Sequence, residues 1–133
     1  MLFVVIKARD QVVAPVDCPD LRDAQSIAGI SNVDHGRVQP GVCIVVYEFG
    51  MFMPPRQQSY FAIRDRLYAG NAVLYGVNDG GETIDLPIEK IPMIAFFPGA
   101  DSVERNIQLG FVERPNLTAN GVVVWQWPDP RPF

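Results

Sequence analysis

The sequence predicts an α+β fold: a mostly antiparallel sheet built from short hairpins, with two short helices, in a single domain. Twelve prolines and eleven glycines divide the 133 residues into short segments, which favours strands and turns over a helical bundle. Asn78-Asp79-Gly80-Gly81 and Asn120-Gly121 lie between β-forming segments, as tight hairpin turns do. The 48% apolar and 20% charged content is that of a globular chain with a buried core.

The longest apolar and β-branched run of the chain, residues 42–49, predicts the central strand. Pro40-Gly41 precedes this run and Gly50 ends it. Because its apolar residues are continuous rather than alternating, we expect both faces of the strand to be covered. The other elements should be arranged around it.

The first elements form a predicted hairpin, with strands over 2–8 and 11–16 joined by a turn at Arg9-Asp10. A helix should follow, with Asp17 as its N-cap and Gly29 as its C′ residue. Four apolar residues share one face of that helix: Leu21, Ala24, Ile27 and Ala28.

Residues 31–39 are polar and are predicted to be a connection leading to the central strand. The segment 57–69 fits either a helix or two strands, and we expect strands with a turn at Asp65-Arg66. Residues 72–77 and 82–86 should form the next hairpin, and 93–97 a further short strand.

The remaining residues predict a second helix over 101–109, which opens with a capping box, and a final hairpin over 111–127. Residues 128–133 form a proline-rich tail. We therefore expect an α+β core over 1–88. Residues 89–133 should be a C-terminal extension, as part of the same domain or as an appendage.

Three segments of the chain resemble a small family of α+β proteins without assigned activity, which phages and plasmids encode. They are Met53-Pro54-Pro55-Arg56, the segment 66–76 from Arg66-Leu67-Tyr68 to Tyr75-Gly76, and Asn78-Asp79-Gly80-Gly81-Glu82. The resemblance covers about residues 1–88. It implies an origin in a mobile element and carries no chemistry over to any residue.

The net charge of −4 and the pI of 4.8 argue against a general affinity for nucleic acid, which requires a basic surface. The N-terminal segment lacks the basic region of a signal peptide, and no apolar run is long enough to span a membrane. We expect a cytoplasmic protein, in a bacterial host cell if its origin is a phage or plasmid. Cys18 and Cys43 should then be reduced.

No motif in the sequence indicates a metal, cofactor or catalytic site. The single histidine, His35, could pair with Cys43 or a serine, but no nucleophile motif lies near it. Asp79, Glu82 and Asp85 are interpreted as a solvated turn rather than as metal ligands. The sequence therefore predicts a protein that is not an enzyme, has no cofactor and has no metal.

The apolar and aromatic residues near the C-terminus, with a Met-rich segment, predict an interaction or assembly protein that binds a protein partner or forms a homo-oligomer. The alternative that these residues cover the protein's own sheet stays open. The candidate interface residues are Met51, Phe52, Met53, Trp125, Trp127, Pro130 and Phe133.

A second hypothesis is a small-ligand or nucleotide-phosphate binding protein. Arginines and tyrosines are interleaved in one segment, and this combination can bind phosphate and stack on bases. Its candidate residues are Tyr60, Arg64, Arg66 and Tyr68. An enzyme of unrecognised type is the third alternative.

Overall fold

The structure of the protein is a computed structural model. It describes residues 1–48, 59–64, 66–91 and 93–97, together with the backbone of residues 123–125. The elements within these residues are β1 (Leu2–Lys7), β2 (Val12–Asp17), α1 (Leu21–Ala28), β3 (Val33–Gln39), β4 (Val42–Tyr47), β5 (Tyr60–Ile63), β6 (Arg66–Ala69), β7 (Ala72–Val77), β8 (Thr83–Ile84), a 3₁₀ turn (Ile88–Lys90), β9 (Ile94–Phe97) and β10 (Val123–Trp125).

The strands form two sheets, in which all pairs described are antiparallel. The first sheet has the order β2-β1-β7-β4-β3, and β8 pairs with β7 beside it. The second sheet has the order β10-β9-β5-β6. The fold is thus a sheet-rich, mostly antiparallel α+β arrangement, as predicted.

The main core lies between the two sheets, because one face of each sheet contributes to the same buried cluster. Ile6, Ile44 and Leu74 come from the first sheet, and Phe61 and Phe96 come from the second. All five side chains are at most 1% exposed. Burying such side chains is the dominant favourable term in folding, so this layer holds the two sheets together.

Helix α1 covers part of the opposite face of the first sheet, where Phe3, Val5 and Val73 pack beneath Ala24 and Ala28. Small helix residues allow the helix to approach the sheet closely. The helix contacts β1 and β7. The same face extends beyond the helix over β4 and β3.

The predicted limits of this helix were right at its end and wrong at its start. Gly29 is the left-handed C-cap residue, with φ of 72°. The N-cap is Asp20, whose side chain accepts a hydrogen bond from the backbone N–H of Asp23 at 2.9 Å. Asp17 cannot cap the helix because it is still paired with Leu2 in the first hairpin.

Two further predictions about the first sheet were wrong. Residues 31–39, predicted as a connection, contain β3, an edge strand with exposed polar side chains at Asp34, His35 and Arg37. The run 42–49 contains β4, but β7 is the middle strand of the order. Continuous apolar sequence showed that a strand is covered, and did not show where it stands in the sheet.

The segment 57–69 forms the predicted pair of strands, β5 and β6. The turn between them includes Arg64, which has a positive φ of 57°, and Arg66 already belongs to β6. Within the described residues α1 is the one α-helix. The second predicted helix, 101–109, lies outside them.

Candidate ligand-binding site

An open cleft of about 420 Å³ lies at one end of the two sheets. We call it the Arg9 cleft. Its lining residues are Arg9, Gly29, Ile30, Ser31, Asn32, Tyr47, Ser59, Ala69, Gly70 and Asn71. Its volume is within the range of about 300–1,000 Å³ that is usual for small-molecule sites.

Five chain segments that are distant in sequence meet at this cleft. Arg9 follows β1, residues 29–32 connect α1 to β3, and Tyr47 ends β4. Ser59 precedes β5, and residues 69–71 connect β6 to β7. Strand ends and connections commonly carry binding residues on a rigid scaffold, and here both sheets supply that scaffold.

Asn71 holds three of these segments together. Its Oδ1 atom accepts a hydrogen bond from the backbone N–H of Ala8 at 3.3 Å, and its Nδ2 atom donates to the carbonyl of Ala28 at 2.8 Å. Ala8 precedes Arg9 and Ala28 is the last residue of α1. A single amide at the start of β7 thereby positions both the arginine and the helix end.

Two backbone hydrogen bonds close the rest of the rim. The N–H of Gly70 donates to the carbonyl of Ser59 at 2.8 Å, and the N–H of Glu48 donates to the carbonyl of Asn32 at 2.8 Å. Gly70 and Asn32 both have positive φ, of 77° and 51°. Glycine and asparagine tolerate this conformation best, so the residue types at these two positions fit the rim.

Among the described residues that line the cleft, Arg9 is the one that carries a charge. Its guanidinium is exposed and forms no ion pair with a carboxylate of the described residues. The side chains of Ser31, Asn32 and Ser59 likewise bond to none of the described residues. The cleft therefore presents one cation and several hydrogen-bonding groups, a combination that suits an anion.

The predicted arginine–tyrosine patch is only partly brought together. Tyr68 stacks on Phe61 in the core between the sheets, with ring centroids 5.2 Å apart, and the Arg66 guanidinium lies 5.4 Å from the Tyr68 ring centroid. Tyr60 is on the opposite face of the second sheet. Arg64 donates a hydrogen bond to Gln39 Oε1 at 2.7 Å.

Burial determines what the two tyrosines of this patch can do. Tyr60 is 3% exposed and Tyr68 is 7% exposed. Loss of hydration on burial raises the pKa of both phenols, as expected for a group whose charged form is disfavoured in the core. Their rings pack inside the protein, so a ligand at Arg64 or Arg66 has little of either ring to stack on.

His35, Cys43 and Tyr75 meet on the face of the first sheet beyond α1. His35 Nδ1 lies 3.0 Å from the Tyr75 hydroxyl, and Tyr75 is opposite Cys43 in the β4–β7 pair. Burial, and then the neighbouring Cys43 thiol, raise the pKa of Tyr75. His35 is exposed and does not line the Arg9 cleft, so this cluster is a separate feature of the sheet surface.

Most of the predicted interface lies outside the described residues: Met51, Phe52, Met53, Trp127, Pro130 and Phe133. For Trp125 the structure describes the backbone, which pairs with Ile94 in the β9–β10 ladder. Ile94 itself is fully buried in the core between the sheets. The second sheet thus includes residues from the predicted C-terminal extension.

No protein-family model, curated protein or solved structure matches this chain. The resemblance to a phage and plasmid family stays a prediction. Within the described residues, no three or more histidine, cysteine, aspartate or glutamate side chains are grouped to hold a metal ion. No helix in that part of the chain is long and apolar enough to cross a membrane.

Sequence reasoning did not find the Arg9 cleft. Arg9, Asn32 and Asn71 each look like ordinary turn residues in the sequence, and Tyr47 looks like the end of a strand. Their common feature is a position at the same end of the two sheets. That feature depends on strand order, which local patterns do not contain.

Proposed function

We propose that this protein is a binding protein for a small anionic ligand and that the Arg9 cleft is the binding site. The observation that carries this proposal is the guanidinium of Arg9, which forms no ion pair with the described residues and lies in a cleft where no described lining residue has a carboxylate. The proposed function is in the small-ligand class that the sequence allows, but its site is the Arg9 cleft and not the segment with Arg64 and Arg66.

Electrostatics support an anion over a neutral ligand. The net charge of −4 repels anions from most of the surface, so an isolated arginine with open space beside it is a distinctive feature. A guanidinium binds carboxylate or phosphate oxygens through two parallel hydrogen bonds. The neighbouring hydroxyls of Ser31 and Ser59 can donate to further oxygens.

The test is a thermal-shift screen with phosphorylated and carboxylated metabolites against the wild-type protein, Arg9→Met and Arg64→Met. A ligand at 100 times its Kd should stabilise the wild type by about 2.7 kcal/mol, because it binds only the folded state. The shift should disappear in Arg9→Met, since methionine keeps an apolar stem without the charge. Arg64→Met is the matched control and should keep the shift.

Two results would contradict this function. One is the absence of a shift for the wild type across both classes of anion. The other is a shift of equal size in Arg9→Met, which would place the ligand elsewhere. A shift lost only in Arg64→Met would move the site to the arginine–tyrosine patch predicted from the sequence.

A role in assembly, through a protein partner or a homo-oligomer, is the second candidate. The exposed side chain of Met93, 43% accessible, stands immediately before Ile94, the residue paired with Trp125. It adds an apolar group beside the strands that lead to the predicted interface. Removing residues 128–133 and replacing Trp127 should weaken association in light scattering, whereas a wild-type monomer at all concentrations would count against this role.

A further inference from the structure

We infer that the ligand of the Arg9 cleft is an aromatic anion, with its phosphate or carboxylate at Arg9 and its ring beside Tyr47. This inference rests on the proposed function. It adds the chemical class of the ligand, which neither the charge of Arg9 nor the net charge of the protein determines. The size of the cleft and the groups that line it indicate this class.

The cleft is too large for an inorganic anion alone. A water molecule occupies about 30 Å³ in the liquid, and a phosphate ion has about the volume of two or three waters. The cleft volume of about 420 Å³ therefore leaves most of the space beyond Arg9 to another part of the ligand. An anion that fills the site must carry an organic body.

The lining residues indicate what that body is. Tyr47 and Ile30, which are both partly exposed, supply an aromatic ring and an apolar side chain. Ser31 and Asn32 supply short polar groups at the same cleft. A planar ring can pack against the apolar side chains and use its polar edge for hydrogen bonds, whereas a flexible polar chain would leave the apolar side chains in contact with water.

Tyrosine is well suited to this role because its ring contributes a large contact area at a low cost in side-chain entropy. Stacking of two aromatic rings improves binding by about tenfold at the upper end of its usual range. The specificity of the cleft should therefore depend on two residues. Arg9 should bind the anionic group of the ligand, and Tyr47 should stack on its aromatic ring.

The experiment measures dissociation constants by two-dimensional amide NMR titration of the complete protein. The probes are inorganic phosphate, phenyl phosphate, benzoate and phenol. Phenyl phosphate should bind more tightly than inorganic phosphate, by a factor of up to about ten from stacking. Tyr47→Leu should remove this gain, Tyr47→Phe should keep it, and Arg9→Met should weaken both anions.

The outcomes separate this inference from the proposed function. Equal affinities for phosphate and phenyl phosphate would overturn the aromatic ligand while leaving an anion site. Binding of phenol as tightly as phenyl phosphate, or no binding by any probe, would overturn both. Comparison of benzoate with phenyl phosphate distinguishes carboxylate from phosphate, and tighter binding of phenyl phosphate than of inorganic phosphate supports the inference.

A measurement on the wild-type protein avoids dependence on the variants. If Tyr47→Leu fails to fold, nuclear Overhauser contacts between the ring protons of phenyl phosphate and those of Tyr47 provide the same information. Contacts to Tyr47 and to the methyl groups of Ile30 are expected. Contacts only to residues away from the cleft would overturn the assignment.

Discussion

The two ends of the molecule use the same kinds of polar residue in opposite ways. At the cleft end, Arg9 and Asn32 have side chains that bond to none of the described residues. At the far end, Arg64 donates to Gln39, and Gln39 in turn donates to the carbonyl of Lys90. Arg64 and Gln39 thus form bonds that stabilise the far end, whereas the side chains of Arg9 and Asn32 form none with the described residues at the cleft end.

Backbone packing shows the same contrast. A Cβ atom on Gly76, near the far end of β7, would lie 2.6 Å from the carbonyl oxygen of Asp85. A Cβ atom on Gly29, at the cleft end, would meet nothing within 4 Å. Exposed arginines and glycines at strand ends are therefore not equivalent. Strand-end residues that lie beside open space, next to polar side chains without a bond to the described residues, are the ones to test for binding.

The largest expected effect comes from Gly76→Ala. The added methyl group would overlap backbone atoms of Asp85 and Ile84, which cannot rotate away, so β8 must shift. We expect a loss of about 2–3 kcal/mol in the free energy of unfolding, as for overpacked sites, measured by urea denaturation.

The matched control is Gly36→Ala in the same sheet. Its Cβ would lie 3.6 Å from Ile44 Cγ2, an ordinary contact. The change should alter stability by no more than about 0.5 kcal/mol. Equal losses for the two variants would show that the far end is not more closely packed than the rest of the sheet.

The second largest effect should come from Asn71→Ala. This change leaves the backbone groups of Ala8 and Ala28 without their side-chain partner. We expect a loss of about 1–3 kcal/mol, the usual cost of unsatisfied buried polar groups, and weaker anion binding because Arg9 is less well positioned.

Asn71→Asp separates the two hydrogen bonds. The carboxylate still accepts from Ala8 but cannot donate to Ala28, and it adds a negative charge to the cleft. Stability should fall at least as much as in Asn71→Ala, because a carboxylate oxygen would face the Ala28 carbonyl oxygen, and anion affinity should fall more. Unchanged affinity in both variants, measured by the same NMR titration, would argue that Asn71 does not position the binding site.

The sequence was sufficient for the elements whose signals are local. The turn at 78–81 and the pair of strands over 60–69 follow from glycine positions and alternation, and the structure confirms both. It was insufficient for β3, because an edge strand with Asp34, His35 and Arg37 exposed has no apolar alternation. Strand order then decides which distant residues meet, so Arg9 and Asn71 could not be brought together from the sequence.

Tyr60 and Tyr68 illustrate the same limit for the candidate site. Spacing correctly put them on strands of one hairpin, but tertiary packing decides whether a strand face is exposed. Both faces of this hairpin are buried. The two tyrosines that were predicted to stack on a ligand therefore pack in the core instead.

Unfolding at alkaline pH should test whether the two ends of the molecule unfold together, as expected if they share one core. Burial raises the pKa of Tyr60, Tyr68 and Tyr75 above the ordinary value of 10.0. The unfolded chain loses these protons first as the pH rises past 10, so it binds fewer protons than the folded state and is favoured. The stability that these three tyrosines contribute should be fully present below pH 10 and should fall until their folded-state pKa values are passed.

Cys18 adds to this loss from lower pH, because burial and then Asp23 raise its pKa above 9.0. Urea unfolding at pH values from about 8 to about 11.5 covers the window. The amide signals of Gly70 at the cleft end and Gly76 at the far end should disappear together. Loss of one signal well before the other would show that the two ends unfold separately.

The smallest expected effect is the difference in stability between Arg64→Met and Arg9→Met. It tests directly whether the two arginines differ in their contribution to the fold, and it requires no ligand. Arg64→Met removes the hydrogen bond to Gln39 Oε1 and keeps the Cβ atom, so the cost of the positive φ at residue 64 is unchanged. We expect a loss of about 0.5–1 kcal/mol, since the pair is exposed. Arg9→Met should change stability by less than about 0.5 kcal/mol because it breaks no bond within the described residues.

A double-mutant cycle with Gln39→Met completes this test. If Arg64 and Gln39 stabilise the far end as a pair, the free-energy changes of the single variants should add up to more than that of the double variant. The same cycle with Arg9 and Gln39, which belong to opposite ends, should be additive. Coupling in the second cycle, or none in the first, would contradict the proposed difference between Arg64, which stabilises the fold, and Arg9, which does not. A coupled first cycle and an additive second one would leave ligand binding as the role that distinguishes Arg9.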